Sequence, residues 1–240
     1  MKLFCTIMLS MLIAFSSCKK DESALIANVD VRVINTAIGT AVKVDPGRAV
    51  DYSTQTPISY GGNRLYMLER KVVPFQVVNA TDNTVKFYDQ TINISSGIYS
   101  VFVAGQGTTI ETIVKEEKDF PFIDFTNKIP VKADSVVNVR FINLSPNSIP
   151  VKIKITTAAG NEVDNLPFKT IGNWKKYTAT ASSTVYAFQV REAATDTLLA
   201  SFNFTANSTN RFKNVSLIIK GLQGTTTGVN AYGMFAVNYF

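Results

Sequence analysis

The sequence predicts an all-β protein built from two tandem β-sandwich domains. Three observations lead there. Short runs alternate apolar and polar residues, as strands with one face in a core do. Clusters of Asp, Asn, Gly, Pro and Ser separate these runs. The pattern that opens the first half then returns in the second. Val31-Arg32-Val33-Ile34-Asn35 aligns without a gap with Val139-Arg140-Phe141-Ile142-Asn143, and Val42-Lys43-Val44 aligns with Val151-Lys152-Ile153 after one inserted residue. Later, Ala80-Thr81-Asp82-Asn83-Thr84 is echoed by Ala194-Thr195-Asp196-Thr197, and the stretch ending Ala104-Gly105 by the one ending Lys220-Gly221. Matches in the same order at a nearly constant offset indicate a duplicated unit.

Taken in order, the chain begins with Lys2 and a charge-free apolar run over residues 3–15. That run is shorter than the roughly 20 residues a membrane-spanning helix needs, and it fits the apolar region of a signal peptide. Residues 1–17 are thus expected to be a leader and residues 18–25 a tether. The first sandwich is expected over residues 26–131 and the second over 132–240. In the first, strands are expected near 29–35, 41–44, 72–79, 85–94, 99–104 and 109–115. In the second they are expected near 136–143, 151–157, 174–180, 185–192, 198–205, 213–220 and 234–239. The junction is expected near residues 125–133, where Asn127, Lys128 and Pro130 interrupt the pattern.

Three resemblances sharpen this reading. Phe15-Ser16-Ser17-Cys18 resembles the end of a bacterial lipoprotein signal. The resemblance implies lipid attachment to the Cys18 sulfur, cleavage before Cys18 and acylation of the new amine. Lys19-Lys20-Asp21-Glu22 resembles the tag that sends Bacteroidota-type lipoproteins to the outer face of the outer membrane, and four charged residues also make a solvated tether. Each repeat opening is similar to domain of unknown function 4397. The second copy carries the fuller match in Val139-Arg140-Phe141-Ile142-Asn143-Leu144-Ser145-Pro146-Asn147, while the first has Thr36-Ala37-Ile38-Gly39 where Ser-Pro is expected. That resemblance implies extracytoplasmic immunoglobulin-like or transthyretin-like sandwiches and carries over no catalytic residue.

Composition narrows the chemistry. The chain has no histidine, and its two cysteines are Cys5, inside the leader, and Cys18. A histidine base, thiol chemistry and a stabilising disulfide are therefore not expected. The net charge of +6 is uneven: residues 26–131 hold ten basic and eleven acidic side chains, residues 132–240 eleven and five. The basic half suits either solubility or an anionic polysaccharide. Nucleic acid is not expected as a partner, because no basic cluster accompanies a reading helix.

Candidate sites are few. Glu116, Glu117, Asp119 and Asp124 form the densest acidic run and read as a solvated connection before the junction. Gly61-Gly62 and Gly105-Gln106-Gly107 lack the Lys-Ser/Thr and helix of a phosphate loop. Asn161, Glu162, Asp164 and Asn165 gather oxygen ligands, but they do not match a calcium loop and read as a hairpin tip. For glycan binding, Trp174 and Tyr177 flanking Lys175 and Lys176 come first, and Tyr60 and Tyr66 around Gly61-Gly62-Asn63-Arg64 second. The alternative is that these rings fill the core. Asp134-Ser135-Val136 and Asp196-Thr197-Leu198 resemble O-glycosylation acceptors, with Ser135 and Thr197 as the modified residues. The expectation is a non-enzymatic outer-membrane lipoprotein without cofactor or metal, displayed at the surface for adhesion or ligand capture. The alternative is a glycan-binding accessory of an outer-membrane polysaccharide uptake system. The expected partners are the membrane, through the lipid, and polysaccharide or other outer-membrane proteins.

Overall fold

The computed structural model describes residues 28–48, 50–69, 71–94, 97–121, 123–124, 129–130 and 135–239. The chain is all-β. The first half contains β1 (Asn28–Ile38), β2 (Val42–Pro46), β3 (Asn63–Glu69), β4 (Lys71–Asn79), β5 (Lys86–Ile94), β6 (Ile98–Gln106) and β7 (Glu111–Glu116). A two-stranded ribbon, β8 (Ile123–Asp124) and β9 (Ile129–Pro130), follows. The second half contains β10 (Val136–Asn143), β11 (Val151–Ile155), β12 (Asn161–Leu166), β13 (Thr170–Ile171), β14 (Lys175–Thr178), β15 (Thr184–Glu192), β16 (Leu198–Ala206), β17 (Asn214–Lys220) and β18 (Gly233–Asn238).

Both halves share one topology. The first has a sheet ordered β3-β1-β6-β7 facing a sheet ordered β2-β4-β5. In the second, β10, β17 and β18 take the places of β1, β6 and β7, and β13 and β14 pair with β10 where β3 pairs with β1. The facing sheet is β12-β11-β15-β16, which adds β12 at one edge. The central pairs β1–β6 and β10–β17 are both parallel. The sequence echoes fall in equivalent places, one in the β4–β5 and β15–β16 turns, the other along β6 and β17. Gly105 and Gly221 close that second echo, and both need to be glycine. Their φ values are +122° and +89°, and a Cβ would meet the carbonyl oxygen of Thr109 at 2.3 Å or of Ala231 at 2.1 Å.

The repeated asparagine has a definite task. Asn35 Oδ1 accepts the Ala37 N–H, and its Nδ2 donates to the carbonyls of Thr40 and Ile58 at 2.8 and 2.9 Å. Asn143 does the same at the end of β10: it accepts from the Ser145 N–H and donates to the Leu166 carbonyl and Ser148 Oγ. Each fully buried amide thus turns the chain and satisfies carbonyls that leave the ladder.

Alternation sorts each inner sheet into two buried faces. Val29, Val31 and Val33 of β1 and Tyr99, Val101 and Val103 of β6 line the first core with Phe75, Val77 and Ile94. Val137, Val139, Phe141, Val215, Leu217 and Ile219 line the second with Phe188 and Val190. The intervening residues point the other way, where a half-buried strand would meet solvent. They meet the other sandwich instead. Ile34, Ile98, Phe102, Ala104 and Phe120 pack against Ile142, Leu144, Ile218, Val237 and Tyr239 in a third cluster between the halves.

A charged centre sits inside this cluster. Arg140 donates from Nη1 and Nη2 to the two Glu117 carboxylate oxygens at 2.7 and 2.6 Å, and from Nε to Ser216 Oγ at 2.9 Å. The arginine and glutamate side chains are 1% and 0% exposed. Burial acts against the Arg140 charge, but the bonds to Glu117 and the proximity of Tyr239 outweigh it, and its pKa stands above the ordinary value. Glu117 is therefore not part of a solvated connection. It continues the β7 face of Ile113 and Lys115 into the interface, held by its N–H on the Ile98 carbonyl.

Among the described residues, five strands have no counterpart among those expected: β3, β12, and the two-residue strands β8, β9 and β13. β3 has no counterpart among the expected strands, because Leu65 and Met67 are apolar yet exposed while Tyr66 and Leu68 face the core, so no alternation shows. The region read as a hairpin tip is strand β12, which pairs with β11 through irregular register.

Removing one partner of the buried pair should be costly. Glu117→Ala should lower unfolding free energy by about 3–5 kcal/mol in denaturant titration, because the Arg140 charge stays buried. Arg140→Met combined with Glu117→Leu should recover most of that loss. A single variant within a few tenths of the parent would show that the pair is not buried.

Candidate functional site

The paired strands β10 and β14 decide the fate of the predicted aromatic site. Val139 pairs with Lys175, which brings Trp174 opposite Arg140. The Arg140 guanidinium lies 4.4 Å from the Trp174 ring centroid, a cation–π distance. Phe120 and Tyr239 stand 5.2 and 6.5 Å away from the indole, completing an aromatic box around the ion pair. The indole Nε1 is buried and has no hydrogen-bond partner among the described residues. Tyr177 lies on the opposite face of the strand, 7% exposed, packed edge-on against Tyr186 and Phe188 in the second core. Trp174 and Tyr177 therefore share no stacking platform, because three residues along a strand reverse the side-chain direction. Lys176 is exposed on the side of Trp174.

Lys175 and Tyr177 meet elsewhere. The Tyr177 hydroxyl donates to Glu162 Oε2 at 2.7 Å, and Lys175 Nζ lies 3.4 Å from the same oxygen. Burial, and then the Glu162 carboxylate, push the Tyr177 phenol far above its ordinary range, so it is a donor at all physiological pH values. Glu162 and Lys175 border a cleft of about 310 Å³ between β12 and residues 170–175. Glu162, Asn165, Asn173 and Lys175 supply polar groups there, and Val163 and Ile171 supply apolar surface. A carboxylate, two amides and an ammonium around a small apolar floor can hold a compact polar ligand. Asn161 and Asp164, from the same predicted oxygen cluster, bond each other at 2.9 Å.

The remaining candidates scatter. Lys220 Nζ lies 4.4 Å from the Tyr60 ring across the boundary between the halves, and Tyr66 packs on the first core. Ser135 is half-buried before β10, and its carbonyl accepts the Ala179 N–H. Thr197 is exposed in the β15–β16 turn, beside the Thr195 hydroxyl, while Asp196 is held by Lys152 and Arg191. Cys18 and Lys19, Lys20, Asp21 and Glu22 lie outside the described residues. Glu162 and Asn165 come from the oxygen cluster marked in the sequence, whereas Asn173 was not singled out. Nothing in the local pattern marks Asn173, because only the packing of residues 170–175 beside β12 brings it to the cleft. No family model matches the chain, and no curated protein does either.

Trp174 is the sole tryptophan, so its emission reports the box directly. Acrylamide should quench it several-fold less in the native state than in denaturant. Quenching at the unfolded rate under native conditions would place the indole in solvent.

Proposed function

We propose that this chain is a non-enzymatic, lipid-anchored outer-membrane protein, displayed at the cell surface, that captures a ligand or adheres through its second sandwich. The observation that carries the ligand-capture reading is the cleft between β12 and residues 170–175, with Glu162, Asn165, Asn173 and Lys175 facing one small volume. The buried ion pair supports it indirectly: by joining the sandwiches it presents that cleft on one rigid body rather than on a swinging domain. The lipid anchor and the surface address rest on Cys18 and on Lys19-Lys20-Asp21-Glu22. Membership of the family of domain of unknown function 4397 belongs to this proposal too, on the Arg140, Asn143, Ser145 and Pro146 opening.

A glycan-binding accessory of a polysaccharide uptake system is the second reading. What favours it is the chemistry of the same cleft, whose carboxylate, amides and ammonium suit the mixed donors and acceptors of sugar hydroxyls. O-glycosylation at Thr197 fits its exposure in a turn, and at Ser135 it requires local opening.

Fatty-acid labelling in cells should mark the chain and vanish in Cys18→Ser, and protease added to intact cells should degrade it. A chain that stays whole until lysis faces the periplasm. On a glycan array, binding that falls in Glu162→Gln and Lys175→Ala but persists in Lys176→Ala supports the second reading. Absence of glycan binding removes that reading and leaves the first to other ligands.

A further inference from the structure

A second opening lies on the far side of the second sandwich. A slot of about 410 Å³ separates residues 198–201 of β16 from residues 223–226 of the loop that leads into β18. Successive strand residues point to opposite faces, so a wall of four in a row is the main-chain edge of the strand. Among the described residues, β16 pairs only with β15. Among the described residues, the main chain of residues 198–201 makes no hydrogen bond beyond that partner. About half of its N–H and C=O groups therefore face the slot.

The opposite wall is fixed. The Gln223 N–H donates to Asn147 Oδ1 at 2.8 Å, its carbonyl accepts Asn147 Nδ2, and its side chain accepts the Ile149 N–H. The Thr225 carbonyl accepts the Tyr232 N–H at 2.8 Å, and the Tyr232 hydroxyl pairs with Ser148. The Ser145-Pro146-Asn147 turn thus holds the slot open, and the first copy lacks that turn.

The edge also lacks the usual protection against strand addition, which is charge or proline. β2 carries Lys43, Asp45 and Pro46, β3 Arg64 and Glu69, β5 Lys86 and Asp89, β7 Glu111, Lys115 and Glu116, and β12 Glu162 and Asp164. β16 reads Leu-Leu-Ala-Ser-Phe-Asn-Phe-Thr-Ala and carries none, with Leu198 48% exposed. β18 is equally uncharged and lies against β16, and the slot opens on residues 198–201 of that edge.

We propose that this slot binds an extended, uncharged peptide segment as an added strand on β16. Strand groups recur about every 6.8 Å along one edge, the repeat of a peptide backbone. Leu198 and Leu199 offer apolar surface for alternate side chains, and among the described residues no acidic or basic side chain lines the slot. The inference rests on the ligand-capture reading but not on the lipid anchor or on the cleft at Glu162.

The test uses the full chain in detergent and a displayed library of random short peptides, with selected sequences resynthesised. Uncharged peptides should bind, and amide exchange should slow at residues 199–201. N-methylation of alternate peptide residues should weaken binding roughly tenfold, as loss of one or two hydrogen bonds would. Thr226→Trp, at an exposed loop position, should do the same by filling the slot, and Val185→Ser, at the far end of β15, should not. Equal binding by N-methylated peptides, protection away from β16, or a dimer paired through β16 would overturn the proposal. A neutral oligosaccharide that occupies the slot in place of peptide overturns it while leaving ligand capture intact. A chain that binds neither peptide nor glycan removes both.

Discussion

The bidentate pair between Arg140 and Glu117 is the constraint on which the arrangement of the two halves depends. Neither charge touches solvent, and each belongs to a different sandwich. Such a pair is tolerable only where every group is matched, since desolvating two ions costs several kcal/mol each before attraction offsets it. Here Glu117 takes two guanidinium nitrogens, Ser216 takes the third, and Trp174, Phe120 and Tyr239 cover the faces. Matching of that kind fixes one relative placement of the sandwiches, which apolar contact between Ile34, Phe102, Ile142 and Ile218 would specify less sharply.

Duplication explains why the centre lies where it does. Arg32 is the counterpart of Arg140, and Ser100 stands beside it in β6 as Ser216 stands beside Arg140 in β17. The two copies then diverged. Arg140 acquired an acid, whereas Arg32 donates to Asn63 and faces the Tyr239 ring at 5.3 Å. Burial lowers the Arg32 pKa, against the pull of Tyr239 and Asp30, while that of Arg140 is raised. Tyr239 thus stands between two equivalent arginines, with its hydroxyl on Ser100.

The surfaces left after this packing are unequal. The inner sheets are consumed by the interface, so binding surfaces fall to the outer sheet of the second half and the loops around it. The β12 cleft is polar and bordered by ionised groups, while the β16 slot is neutral and bordered by main chain. Both depend on additions that the first half lacks: the extra strand β12, and the Ser145-Pro146-Asn147 turn that pins Gln223.

The sequence by itself determined the all-β class, the duplication and most strands, because period-two alternation, turn residues and glycines such as Gly105 and Gly221 act locally. It also carried the Asn35 and Asn143 motif, whose turn-forming bonds to Ala37 and Ser145 lie two residues away. Only the tertiary structure decided what the polar half of the alternation meets. Arg140 lies on the polar face of an alternating strand, and such a pattern shows that one face differs from the other, not what covers it. Glu117 read as a loop acid for the same reason, since its partner lies 23 residues away in the other sandwich. Trp174 could be a platform or a packed ring until the β10–β14 register set it over Arg140. Register is a property of paired strands, and it reaches the sequence of either one only through the partner.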